Sequence, residues 1–135
     1  MARTISTAIV PKQEYAAYRA KALQFFTVMK LCLQDQEWDA VLLNGVHAAI
    51  SMNDALTVFR LGQRSASKSH QDATILLSHV VAKEKHGKQQ VAHLSRILNY
   101  KNLVEYEPRR FSAREAVEFA KQVDRFFTWV QELLP

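Results

Sequence analysis

Little in this chain interrupts a helix: three glycines and three prolines in 135 residues, with the prolines at Pro11, Pro108 and Pro135. So few breakers exclude a turn-rich sandwich or barrel, and strands are not expected. A lone cysteine, Cys32, excludes an internal disulfide framework. It falls in the apolar pattern of a helix, which reads as a buried thiol in a reducing, intracellular setting. No run of about 18 apolar residues suggests a membrane span, and the opening ten residues lack the apolar stretch of a signal peptide. A cytoplasmic protein without a membrane partner is expected. The glycine-rich phosphate loop, the dinucleotide turn and the nucleophile elbow are all missing, which leaves NTPase, dinucleotide and hydrolase chemistry without their signatures.

Apolar residues are plentiful, at 48%, enough for one domain over residues 1–135 with residues 1–10 as a flexible N-terminal arm. The formal charge of +5, from 18 basic and 13 acidic residues, favours polyanions only mildly. Apolar periodicity predicts a first helix over residues 11–33, through Tyr15, Tyr18, Ala22, Phe25, Phe26, Met29 and Leu33. A second runs over 37–61 and is apolar on two sides. Trp38, Val41, Leu42, Gly45, Ala49, Met52, Leu56 and Phe59 form one stripe, while Leu43, Val46, Ile50 and Leu61 lie opposite. A third should start at Ser69 and stop before Gly87, and a fourth, shorter one turns Val91, Leu94, Ile97 and Leu98 inward. Residues 99–110 read as a connection whose Pro108 forbids an uninterrupted helix. Ser112 and Glu115 form a capping box that opens the last helix. The fold class expected is all-α, an antiparallel up-and-down bundle of four main helices plus a short one.

The junction over residues 60–70 stands out. It carries Arg60, Arg64 and Lys68, has no acid between Ala55 and Gln71, and ends in His70 where a helix should begin. Free amides and the dipole of a starting helix attract anions, and an arginine can hold two phosphate oxygens. A histidine there can also move a proton. A second reading stays open, in which Ser69 and Asp72 form a capping box and His70 is an ordinary first-turn residue.

On the second helix His47 and Asp54 are seven residues apart, on the face that also carries Leu43 and Ile50. They mark either a pocket or dimer face, or a histidine and a carboxylate satisfied locally. A second copy of the chain is the expected cover if no helix of the same chain reaches this face. His79, His86 and His93 recur every seven residues, but Gly87 interrupts them and no ligand set is complete, so neither metal nor cofactor is expected. Tyr106, Arg109 and Arg110 precede a capped helix and suit either a nucleotide, by stacking and charge, or a tyrosine bonded across the bundle beside solvated arginines.

The order of these pieces resembles the HEPN family of small helical domains. The matching segments are Ser69 to Leu77, Leu94 to Leu98, Tyr106-Glu107, Phe111-Ser112, Glu115-Ala116 and Phe126 to Val130. With the alanine-rich stretch His47 to Ala55, they span about residues 45–134. Many HEPN proteins are metal-independent ribonucleases whose signature is an arginine followed four to six residues later by a histidine, in a cleft made by two subunits. Five residues separate Arg64 from His70. The resemblance implies a homodimer that binds RNA or nucleotide, with Arg64 and His70 as catalytic residues. Arg60, Lys68, Tyr106, Arg109 and Arg110 are then the binding residues. A noncatalytic interaction module remains open beside it, the helical partner of an antitoxin or of a nucleotidyltransferase.

Overall fold

The computed structural model describes residues 5–135, and the fold is predominantly helical with a small two-stranded sheet. A 3-10 turn at Lys12–Glu14 leads into α1 (Tyr15–Gln34), followed by α2 (Trp38–Leu61), α3 (Asp72–Val80), α4 (Gly87–Leu98), α5 (Lys101–Tyr106) and α6 (Ala113–Leu133). The two strands are β1 (Thr7–Ile9) and β2 (Gln63–Ser65).

Helix α2 is the axis of the core. Val41, Leu42, Val46, Ala48, Ala49, Met52, Ala55, Leu56 and Val58 are all buried, as expected for a helix apolar on two sides. It packs against α1 and α6. Close approach requires Gly45: a Cβ there would lie 3.0 Å from the Met29 sulfur and 3.2 Å from Val123, and closer still to Phe119. Beside this crossing the rings of Phe26 and Phe127 stack with centroids 4.2 Å apart. The capping box of α6 forms as expected, Glu115 N–H donating to Ser112 Oγ and Ser112 N–H to Glu115 Oε1. Among the described residues no helix is long and apolar enough to cross a membrane.

Four expectations are corrected. Strands are present, and residues 7–9 of the supposed flexible arm belong to one of them; residues 1–4 lie outside the described residues. The cause is Gly62, whose left-handed φ of 66° ends α2 and redirects the chain, so that Thr7 pairs with Ser65, Ala8 with Arg64 and Ile9 with Gln63. Three-residue strands leave no alternating pattern to read. Secondly, α3 begins at Asp72 rather than Ser69, and its first-turn box is not Ser69 with Asp72. Ser67 Oγ donates to Asp72 Oδ2 at 2.6 Å and accepts from Ser69 N–H at 3.1 Å. Thirdly, Gly87 does not stop α3, which ends at Val80; it opens α4, where a Cβ would strike the Val81 carbonyl. Finally, residues 99–110 are not merely a connection. Lys101–Tyr106 is helical, held by Lys101 Nζ on Glu105 at 2.7 Å one turn on, and Pro108 lies beyond its end.

Candidate functional site

Because Gly62 turns the chain back along β1, Arg64 is carried out of the helix end and over the side of α2. There a cleft of about 170 Å³ opens, lined by Ile50, Asn53 and Asp54 of α2, by Arg64 to Ser67, by His70 and Ala73, and by Leu94 and Leu98 of α4. In the sequence Arg64 and His70 form one set and Ile50 and Asp54 another; the fold brings them together. His70 stands in the turn before α3. It also lines a second cleft of about 200 Å³, with Lys68, Asn99, Lys101 and Asn102.

The first cleft contains one buried polar atom that the fold leaves without a partner. Asn53 is 1% exposed, and its Oδ1 has no hydrogen-bond partner among the described residues. A buried amide oxygen without a donor costs roughly 1–3 kcal/mol, and in the cleft this one is placed to accept from a bound group; elsewhere among the described residues Arg19 Nε and Gln122 Oε1 are likewise without a partner. Asn53 escapes the sequence reading because it interrupts a run of apolar positions without breaking their period, and no signal separates it from a satisfied core asparagine.

Asp54 is a second polar group of the lining. Burial pushes its carboxyl up to about 7 against the pull of the Arg64 guanidinium. Arg64 itself donates to the Ser65 carbonyl at 3.2 Å. His70 is held below the ordinary histidine value, chiefly by burial, then by the charge of Lys101; Glu105 opposes these and His47 adds to them. A neutral imidazole at pH 7 follows.

His47 is not part of the cleft lining. Its Nε2 lies 3.3 Å from Glu105 Oε1, and its ring lies against Phe25 with centroids 5.4 Å apart. Helix α5 therefore covers part of the face that the sequence assigns to a pocket or dimer contact, and Leu43 remains 36% exposed. Glu105 in turn is held below its usual range, first by the hydrogen bond from Lys101.

The anion reading of the α3 start changes its donors. The amides of Asp72, Ala73 and Thr74 are bonded to the carbonyls of Ser69, His70 and Gln71, so they are not free to hold a phosphate. Positive charge at the site comes from side chains instead. Arg60 is not one of them, since it pairs with Glu84 at 3.1 Å. Tyr106, Arg109 and Arg110 line neither cleft: Tyr106 is 74% exposed with Lys101 Nζ 5.8 Å from its ring centre, Arg109 pairs with Glu115 across the face of Phe111, and Arg110 pairs with Asp39.

Comparison with protein families, curated proteins and solved structures finds no match. The site must be read from its own chemistry. Among the described residues no group of three His, Cys, Asp or Glu side chains could hold a metal ion. Cys32 is no nucleophile candidate, since burial, then Glu37 and Asp35, push its thiol up. What the cleft offers is a guanidinium, a neutral imidazole, a protonatable carboxyl and a buried amide, all within a volume that suits a phosphate or a sugar.

Proposed function

We propose that this protein is a HEPN-like RNA- or nucleotide-binding domain and a metal-independent ribonuclease of the toxin type, with its main helices arranged as an antiparallel bundle. The observation that carries this reading is the shared cleft of Arg64 and His70, floored by the unsatisfied Asn53. Helix capping requires no such convergence, whereas chemistry does. His70 takes the proton of a ribose 2′-hydroxyl, and Arg64 stabilises the charge that grows on the phosphate as the 2′ oxygen attacks. The product is a 2′,3′-cyclic phosphate end. Lys68, in the second cleft that His70 lines, suits the neighbouring phosphate, while Lys101 there is held by Glu105. A homodimer completes the assembly, with Leu43 and its neighbours on α2 at the contact.

The test is cleavage of diverse RNAs by the purified protein in EDTA. His70→Ala should abolish cleavage and leave RNA affinity largely intact, while Arg64→Ala should weaken both. Intact RNA in the presence of folded wild-type protein would remove the enzyme from this reading. Light scattering during size exclusion tests the dimer, and a strictly monomeric mass at high micromolar concentration would remove the two-subunit cleft.

One observation favours a second reading, a noncatalytic partner of an antitoxin or a nucleotidyltransferase. Helix α1 presents Leu23, Val28 and Leu31 at 39%, 40% and 52% exposure, an apolar surface that the ribonuclease does not use.

A further inference from the structure

Cleavage of an RNA phosphodiester moves two protons. One leaves the attacking 2′ oxygen and one must reach the departing 5′ oxygen, which is too basic to leave readily as an alkoxide. His70 can serve only one of these at a time. The cleft holds one other group able to carry a proton at its lining, the carboxyl of Asp54. It projects from α2 next to Asn53, in a wall whose apolar members are Ile50, Ala73, Leu94 and Leu98.

We propose that Asp54 is the general acid of this cleft, protonating the leaving 5′ oxygen while His70 acts as the base. The inference rests on the ribonuclease reading and adds a residue that the arginine–histidine pair does not include. In the step, the 2′ O–H bond breaks and its proton goes to the His70 imidazole. The bond from the 2′ oxygen to phosphorus forms, the bond from phosphorus to the 5′ oxygen breaks, and the Asp54 proton goes to that 5′ oxygen. His70 ends as imidazolium and Asp54 as carboxylate, so charge is conserved and no oxidant, reductant or metal enters.

The surroundings favour this assignment over its reverse. Arg64 from β2 acts on Asp54 and His70 from the turn before α3 shares its cleft, while α3 and α4 contribute only apolar side chains to the lining. His47, on α2 itself, is engaged by Glu105 of α5. A carboxyl desolvated to about 7 keeps a proton at neutral pH, and an imidazole held low by burial and Lys101 has a free lone pair. The reverse pairing would need the imidazolium, the form that burial and Lys101 disfavour. A phosphate drawn to Arg64 takes away part of the attraction that keeps Asp54 ionised, so substrate binding itself holds the proton in place.

The experiment compares two substrates: an RNA oligonucleotide, and uridine 3′-(p-nitrophenyl phosphate), whose leaving group departs without a proton. Asp54→Asn should lower kcat/KM on RNA by about 10²-fold or more and on the nitrophenyl ester by less than ~5-fold. His70→Ala should cripple both. The pH–rate profile of the wild type on RNA should fall on its alkaline side, and that limb should vanish with the ester. If Asp54→Asn cleaves RNA like the wild type while His70→Ala is inert, the acid is overturned and the ribonuclease stands. Equal losses on both substrates would make Asp54 a shaping residue and also overturn it. A wild type inert on both substrates sinks the ribonuclease and this step with it. Thermal melts of Asp54→Asn verify that it folds, and Asp54→Glu, which keeps the acid, should recover part of the RNA rate.

Discussion

Two basic corners of the molecule look alike in sequence and differ in what the fold does with them. Residues 108–115 and residues 62–72 each join basic side chains to a helix start with a serine and an acid at capping distance. In the first corner Arg109, Arg110 and Glu115 all have partners: Ser112 and Glu115 cap each other, Arg109 pairs with Glu115, and Asp39 accepts from both Arg110 and the Phe111 amide. In the second, Ser67 holds Asp72, Arg64 turns to a neighbouring carbonyl, and Asn53 and Asp54 are left lining a cleft. The comparison teaches that basic charge before a helix is not the mark of a site. Unsatisfied polarity that lines a cleft together with a guanidinium, an imidazole and a carboxyl is the sharper mark, because these groups can all reach one bound molecule.

If the two corners differ in this way, replacements should separate stability from binding. The largest effect is expected from Asp54→Asn at pH 8. A carboxyl whose folded pKa is raised to about 7 disfavours the folded state as pH climbs from the ordinary carboxylate range through 7. The amide should therefore stabilise the protein by roughly 2 kcal/mol at pH 8 and by almost nothing below pH 4, as read by denaturant melts. A variant no more stable at pH 8 than at pH 4, relative to wild type, would break the contrast.

Asp39→Ala should cost about 1.5 kcal/mol at pH 7, since the Phe111 amide loses its acceptor, and RNA affinity should not change. The Phe111 amide lowers the Asp39 carboxyl, so this contribution is present above the ordinary carboxylate range and is lost as pH falls through the folded value. Ser112→Ala should cost about 1 kcal/mol through loss of the cap, again with RNA affinity unmoved. Smallest of all, Arg109→Ala should change stability by less than ~0.5 kcal/mol, because its ion pair is solvated. If Arg109→Ala instead weakened RNA binding as much as Arg64→Ala, the two corners would have the same role.

Much of the helical layout is legible in the chain. The stripes of α1, α2 and α6 follow the helix period over five or more turns, and the Ser112–Glu115 box is local chemistry within four residues. The errors fall where distance along the chain decides. Nothing near Gln63 announces that Thr7–Ile9 will pair with it, and Gly87 looks like a helix stop until the Val81 carbonyl is seen against it. The site was half legible: Arg64, His70, Ile50 and Asp54 could each be named, but not their convergence, which depends on the turn at Gly62 and on α4 closing the cleft. Asn53 was invisible because an unsatisfied amide differs from a satisfied one only in three dimensions.

On the proposed ribonuclease reading, the pairing of Ala8 with Arg64 has a consequence that charge does not capture. A guanidinium on a free loop spends its time over many positions, and each substrate would have to bear the entropy of gathering it in. The short strand at residues 7–9 bears that loss during folding, before any substrate arrives. A chain trimmed of it would keep the same charge and lose effective concentration, so it would still attract a polyanion but seldom hold one in the reacting pose.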